Sequence, residues 1–295
     1  MKRINLTNKV DKAEADKMAG TLLGEDSYDI LVTSDTEIYK PNGELLLKYV
    51  KKAIPISMLG QVYKYIRKAA TQSHNRGTAA GKFVDGKSAK YRIKKDGTRT
   101  NTAEISKPVN SGIIGFFDRY PRIPYCRQTS YNINNPSKFK SMFPFFQTID
   151  KNFAEQVPDR YKKQKEIVKK TLPEWIISDT VFSTVTVNKN WQTAVHKDAK
   201  DYEPGFGVMT ALRQGFFDGC YLVFPEYRVA VDINNGGVLF ADVHEWHGNT
   251  AFKSKGGFER ISLVLYYRED MYKCDTMAGE LARVKATAGR GELYS

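Results

Sequence analysis

Three of the chain's four histidines, His196, His244 and His247, fall in one stretch near the C-terminal third. His196 stands at H-x-D spacing from Asp198 in the run VTVNKNWQTAVHKD. On an extended backbone, residues two apart project to the same side, so this imidazole and carboxylate can grip one ion together. Two neutral imidazoles and one carboxylate on one face of a metal form the triad of non-haem Fe(II) oxygenases, which leaves the opposite positions open. An isolated H-x-D arises often by chance, so a distal ligand has to be found. His247 opens HGNT just beyond VLFADVHEW, where an apolar strand runs out into polar loop. His244 has the opposite strand parity, and both cannot face one metal without a bulge. His247 is therefore the expected third ligand. His244 is expected to support it and is the alternative.

Downstream, in RISLVLYYR, Arg260 and Ser262 share strand parity. A guanidinium with a hydroxyl beside it suits the distal carboxylate of a dicarboxylate such as 2-oxoglutarate, through a charge-assisted bidentate bond. H-x-D, a later histidine and then R-x-S make an ensemble that points to an Fe(II)/2-oxoglutarate site using O2. Arg268 has the same parity but closes the strand, and a surface position is expected for it.

The elements that must position these residues follow from pattern. With 295 residues and 41% hydrophobic content, the chain can bury one large core with appendages. The N-terminal run from Lys9 to Gly20 suits a short polar helix, and SYDILVTSDTEIYK suits a strand turning at Pro41-Asn42-Gly43. GELLLKYVKKAI is expected to be helical, as is the amphipathic stretch from Ser57 to Ala70. SGIIGFFDRYPRIPYCRQTSYN starts the core sheet. Phe139, Met142, Phe146, Ile149 and Phe153 recur at helical spacing, so the helices running to Lys170 should brace the back of that sheet. From Trp175 onward, short strands alternate with glycine-bearing turns, the pattern of a double-sheet jelly roll or cupin-like sandwich. The expected class is α+β, a double-stranded β-helix core braced by helices. Its divisions are an N-terminal region (1–110) with a basic insertion (71–110), a core (111–272) and a tail (273–295).

Charge narrows the partners. The formal net charge is +13. Between Lys64 and Lys107 stand twelve Lys or Arg against three acidic residues, most of the surplus. Such a Lys-, Gly- and Thr-rich segment can track the phosphates of DNA or form a solvated surface loop. No apolar run is long enough to span a bilayer, and the N-terminus lacks the apolar core of a secretory signal. No membrane partner is expected. The three cysteines, Cys126, Cys220 and Cys274, are widely spaced with no C-x-x-C, so neither a disulfide nor a zinc site is expected and a reducing cytoplasm is the expected location.

The blocks VTVNKNWQTAVHKD, FDGCYLVFPEYRVAVDINNGGVLFADVHEWHGNT and RISLVLYYRED resemble the TET/JBP family of nucleic-acid-base dioxygenases, nearest to its phage and protozoan thymine-hydroxylase-like branch. SGIIGFFDRYPRIPYCRQTSYN and FKSMFPFFQTIDKNFAEQVPDRYKKQ are similar to phage-encoded members. The likeness runs from about Ser111 to Asp270 and leaves the basic insertion unmatched. It implies His196, Asp198 and His247 as iron ligands, Arg260 as the 2-oxoglutarate anchor and a double-stranded β-helix. It also implies oxidative decarboxylation of 2-oxoglutarate coupled to hydroxylation of a base methyl group.

A duplex base must be flipped out to reach buried iron, then read by stacking and edge hydrogen bonds. Asn188, Asn190 and Trp191 could form the pocket lip or only a turn with a packed Trp. Arg127 and Tyr131 are further candidates, and Asn249 could contact 2-oxoglutarate or cap its loop. The expected activity is Fe(II)/2-oxoglutarate-dependent hydroxylation of a 5-methylpyrimidine in DNA, 5-methylcytosine ahead of thymine, since thymine is ubiquitous and needs extra targeting. The alternatives are a dioxygenase of a protein side chain or free nucleotide, and a non-catalytic cupin-like nucleic-acid-binding protein.

Overall fold

A computed structural model describes residues 1–81, 90–93, 97–104, 107–120 and 123–291, leaving aside the side chains of 90–93, 99–104 and 287–291. The chain opens with β1 (Lys2–Asn5), α1 (Lys12–Lys17), β2 (Ile30–Val32), β3 (Thr36–Tyr39), β4 (Leu45–Val50) and α2 (Ile56–Ile66). A short β5 (Gln72–Ser73) and the paired β6 (Lys90–Ile93) and β7 (Arg99–Glu104) lead to β8 (Val109–Phe117) and β9 (Arg127–Gln128). Four helices follow: α3 (Ser130–Asn134), α4 (Pro136–Ser141), α5 (Phe143–Gln156) and α6 (Pro158–Val168). Next come β10 (Thr184–Lys189), β11 (Gly207–Gln214), β12 (Asp218–Gly219), β13 (Leu222–Phe224) and β14 (Val229–Val231). The last are β15 (Val238–Ala241), β16 (Gly248–Asn249), β17 (Phe252–Lys253), β18 (Glu259–Tyr266) and α7 (Met277–Gly291).

The strands form two principal sheets. The major one runs β1-β3-β4-β15-β11-β18-β10-β8-β5, and the minor one runs β16-β13-β14-β2. Period-two alternation gives each core strand two apolar faces. Met209, Leu239 and Ala241 of the major sheet meet Leu222, Phe224 and Val229 of the minor one. On the outer face, Val185, Val208, Phe240 and Leu263 pack against α2 and α5. Phe153 of α5 stacks between Phe182 and Phe240, with centroids 6.2 and 5.6 Å away. Burying such side chains stabilises by about 1.5–3 kcal/mol each, and truncating Phe153 to Ala would cost about 3–5 kcal/mol. The result is an α+β double-stranded β-helix, with its helical brace where the aromatic stripe placed it.

The first 110 residues contribute β1, β3, β4 and β5 to the major sheet and β2 to the minor one. The expected helix at GELLLKYVKKAI is instead strand β4, paired with β3 and β15. Its Leu47 and Tyr49 enter the inter-sheet core while Leu45 and Val50 meet the helical side. A short apolar run covered on both faces carries no alternation, which is why it mimicked helical spacing. SYDILVTSDTEIYK splits into β2 and β3, which enter different sheets. β8 passes so close to the end of α2 that a Cβ at Gly112 would stand 1.8 Å from the Ala69 carbonyl oxygen.

Cysteine usage also needs correction: Cys126 and Cys274 form a disulfide across a sequence separation of 148. Packing of the C-terminal segment against the start of β9 brings them together. Glu280 of α7 accepts a hydrogen bond from the Cys126 amide at 2.9 Å and pairs with Arg119. Among the described residues, no helix is long and apolar enough to cross a membrane. Within the basic insertion between Lys64 and Lys107, residues 82–89, 94–96 and 105–106 lie outside the described residues.

Candidate active site

His196 and His247 lie on neighbouring backbone segments joined as an antiparallel bridge. Two residues beyond His196, the Asp198 amide donates to the Val243 carbonyl at 3.0 Å. This turns the Asp198 carboxylate toward both imidazoles, 3.5 Å from His196 Nε2 and 3.8 Å from His247 Nε2. One ligating atom from each of the three residues lies within 4.8 Å of the others.

Backbone carbonyls set the tautomers. His196 Nδ1 stands 2.8 Å from the Ala194 carbonyl and His247 Nδ1 stands 3.0 Å from that of Glu245. A carbonyl only accepts, so each Nδ1 carries a proton, and in the neutral ring each Nε2 lone pair points at the shared site. Burial, helped by the neighbouring His196, pushes His247 down to about 4 and keeps it neutral. Burial opposes charge on His196, but the hydrogen bond that its charged ring donates to Asp198, and the carboxylate charge, outweigh this and raise the imidazole above its ordinary value. Burial likewise opposes charge on Asp198, yet the His196 hydrogen bond and the imidazole charges hold the carboxyl below its ordinary value. The set is one carboxylate and two imidazoles on one side of a cavity, the donor chemistry that suits Fe(II) with open positions.

His244 is not part of this cluster. The strand ends at Ala241, so the parity contrast between His244 and His247 has no strand to act on. His244 sits in the following turn, its Nδ1 at 3.5 Å from Asp242 and its Nε2 at 3.3 Å from the Asp201 carbonyl.

The cavity, of about 330 Å³, lies between the two sheets. Residues of one parity along and just past β18, Arg260, Ser262, Val264, Tyr266 and Arg268, form one wall, which Thr186 and Asn188 of β10 extend. Arg260 is 5% exposed, so its guanidinium is available to a ligand inside the cavity rather than to solvent. Asn249 and Trp191 also line it. The Asn249 amide is already engaged: Thr193 donates to its oxygen at 2.6 Å and its nitrogen donates to the Cys220 carbonyl at 3.2 Å.

Other expectations move. Arg268 is no surface residue: its side chain is 14% exposed and its Nε donates to the buried Asp118 at 2.6 Å. Asn190 lies outside the cavity wall at φ 45° and holds a turn, its oxygen accepting the Arg260 amide at 2.7 Å. Arg127 lies over the Phe117 ring at 4.5 Å, a ring that Arg268 also approaches at 5.6 Å, and does not line the cavity. Tyr131 is buried, its hydroxyl donating to the Tyr65 carbonyl at 2.9 Å.

Two parts of the wall escaped sequence reading. Asn75, Arg76, Thr78 and Ala79, from the start of the basic insertion, face the cavity. The Ala194 amide donates to the Ala79 carbonyl at 2.8 Å, which docks this segment beside His196. Asp201 is the second. Its Oδ2 is buried with no hydrogen-bond partner, and burial, with the nearby Asp198 charge, raises its carboxyl well above the ordinary range. The H-x-D-x-x-D spacing in HKDAKD was the available signal.

A family model described as the oxygenase domain of the 2OGFeDO superfamily, Tet_JBP, matches residues 112–269. The chain belongs to the Tet_JBP family. Tet_JBP chemistry uses Fe(II), 2-oxoglutarate and O2, and this chain is an oxygenase domain of that kind. The bifunctional helicase and thymine dioxygenase JBP2 of Trypanosoma brucei brucei is 32% identical over 261 residues, 86% of this chain and 22% of that protein. Thymine dioxygenase JBP1 of the same organism is 34% identical over 166 residues, 54% of this chain and 19% of that one. The chain thus spans about a fifth of these relatives (22% and 19%). Among solved structures, NgTET1 in complex with 5mC DNA superposes with a TM-score of 0.58 at 15% identity, covering 87% of this chain and 86% of that one. At that identity the match shows the shared fold.

Proposed function

We propose that this Tet_JBP domain hydroxylates the 5-methyl group of thymine in DNA, with His196, Asp198 and His247 holding Fe(II) and Arg260 with Ser262 holding the distal carboxylate of 2-oxoglutarate. Held by His196, Asp198 and His247, Fe(II) would supply O2 activation, coupled to decarboxylation of 2-oxoglutarate to succinate and CO2. The chain's residues orient and exclude. Arg260 and Arg268 both line the cavity, their backbone positions at the start of β18 and just past its end, roughly 25 Å apart at about 3.3 Å per residue. A five-carbon diacid held at Arg260 therefore leaves the Arg268 end for a second substrate.

The observation that carries the choice of base is the pair lining that far end, Arg268 and Asp201. A guanidinium only donates hydrogen bonds. The 4-keto oxygen of thymine accepts from it, whereas the 4-amino group of 5-methylcytosine would set donor against donor. Asp201, whose carboxyl burial raises well above the ordinary range, has a buried oxygen without a hydrogen-bond partner that can accept from thymine N3–H. This supports thymine over the 5-methylcytosine that sequence considerations ranked first, and the names of the JBP relatives agree with it. The 5mC DNA in the NgTET1 structure bears on fold alone at 15% identity. We further propose that the basic segment from Lys64 to Lys107 contacts phosphates while the base is flipped into the cavity.

The deciding experiment is mass spectrometry of nucleosides from duplexes carrying thymine or 5-methylcytosine, incubated with protein, Fe(II) and 2-oxoglutarate. The expected product is 5-hydroxymethyluracil in excess over 5-hydroxymethylcytosine. Absence of both, with 2-oxoglutarate turnover indifferent to DNA, would overturn the reading. A duplex affinity that barely falls as salt rises would remove the phosphate role of the basic segment.

A further inference from the structure

Behind His247, on the side away from the cavity, sits a buried charge cluster that the reaction does not use. Lys40, in the turn after β3, is 7% exposed. Its Nζ lies 2.8 Å from Asp242 Oδ2 and 2.6 Å from Glu245 Oε1, carboxylates whose side chains are 13% and 19% exposed. The Tyr227 hydroxyl completes the group by hydrogen bonding to Glu245. Asp242 and Glu245 bracket the turn that ends at His247, and the Glu245 carbonyl accepts from His247 Nδ1.

We propose that Lys40 is a positioning residue for His247, its ammonium clamping Asp242 and Glu245 so that the Glu245 carbonyl stays on the imidazole Nδ1–H. The inference rests on His247 being a metal ligand. Two half-buried carboxylates on one tight turn repel unless a cation sits between them, and the repulsion acts on the residues that carry the carbonyl. Burial disfavours charge on Lys40, but both carboxylates outweigh it and raise the ammonium above its ordinary value, so the clamp stays charged. Partners that orient a ligating histidine typically change metal affinity by about 10–100-fold when removed. The lysine comes from the N-terminal hairpin, so a segment ahead of the family-matched core would tune the metal site.

The test is the dissociation constant for Mn(II), measured by electron paramagnetic resonance on the purified protein without 2-oxoglutarate, alongside the thermal midpoint. Lys40→Met keeps the stem and removes the charge, and Mn(II) should bind about 10-fold more weakly or worse. Lys40→Arg should restore most of the affinity. If Lys40→Met lowers the midpoint but binds Mn(II) within about twofold of the parent, the lysine is structural only and the proposal fails. Should Lys40→Met not fold, Glu245→Gln, which drops one clamped charge at constant shape, should also weaken Mn(II). Unchanged affinity there would sink the clamp equally. His247→Ala separates the two levels: if it leaves Mn(II) binding intact, the ligand assignment itself is wrong, whatever Lys40 does.

Discussion

His196 and His247 hold each other by the backbone as well as facing one site with their rings. The His196 amide donates to the His247 carbonyl at 2.8 Å and the His247 amide returns the bond at 2.9 Å. Their ring centroids lie 4.3 Å apart. Two residues far apart in sequence are thus fixed as a directly opposed pair, and Asp198, two residues on from His196, joins them. A metal entering this site would meet candidate ligands whose spacing is set by main-chain hydrogen bonds.

The first prediction follows from that pairing. His247→Ala should abolish metal-dependent turnover, lowering it by more than about 100-fold, while His244→Ala should retain most of it. Succinate release in the presence of Fe(II) and 2-oxoglutarate measures both. Equal losses would mean that the turn histidine shares the ligand role.

Arg260 should govern the co-substrate alone. Arg260→Lys keeps the charge but loses the planar fork, and the KM for 2-oxoglutarate should rise about 10-fold, with Arg260→Ala worse. The affinity for Mn(II) should not move. A KM unaffected by either change would place the dicarboxylate elsewhere in the cavity.

Arg268 should set the choice of base. Arg268→Gln offers an acceptor as well as donors, so the ratio of thymine to 5-methylcytosine oxidation should fall by about 10-fold. Because Arg268 also pairs with buried Asp118, the variant should melt at a lower temperature. A lower melting temperature with an unchanged product ratio would leave Arg268 a purely structural role.

Glu259 predicts an acid limb in stability. Burial opposes its charge, but Lys189, at 2.6 Å, together with Tyr63 and Arg67, outweighs burial and lowers the carboxyl to about 2. A folded value below the unfolded one means stabilisation that is present above the ordinary carboxyl range. It is lost as pH falls from about 4.5 toward 2. Thermal melting of the parent should therefore drop more steeply between neutral pH and pH values near 3 than that of Glu259→Gln. Parallel curves would show that the contacts tying α2 to β18 carry no such linkage.

Residue types and their spacing carry the candidate chemistry and its local frame. The H-x-D spacing, the distal histidine and the shared parity of Arg260 and Ser262 are short-range facts of residue type and strand period. The structure collects all five of these residues in one cavity. The stripe from Phe139 to Phe153 was legible for the same reason, because a helix repeats on a scale that the sequence displays. Tertiary structure alone decided what depends on distant segments meeting. β4 became a strand because neighbours cover both its faces, a fact absent from its own residues. Cys126 met Cys274, and Asn75 and Arg76 entered the cavity wall, only once the fold closed. Arg268 changed most. Strand parity already aimed it at the cavity, yet its place at the strand's end suggested solvent. Buried Asp118, carried there by the segment after β8, gives that guanidinium a partner and turns a strand-end arginine into a pocket wall.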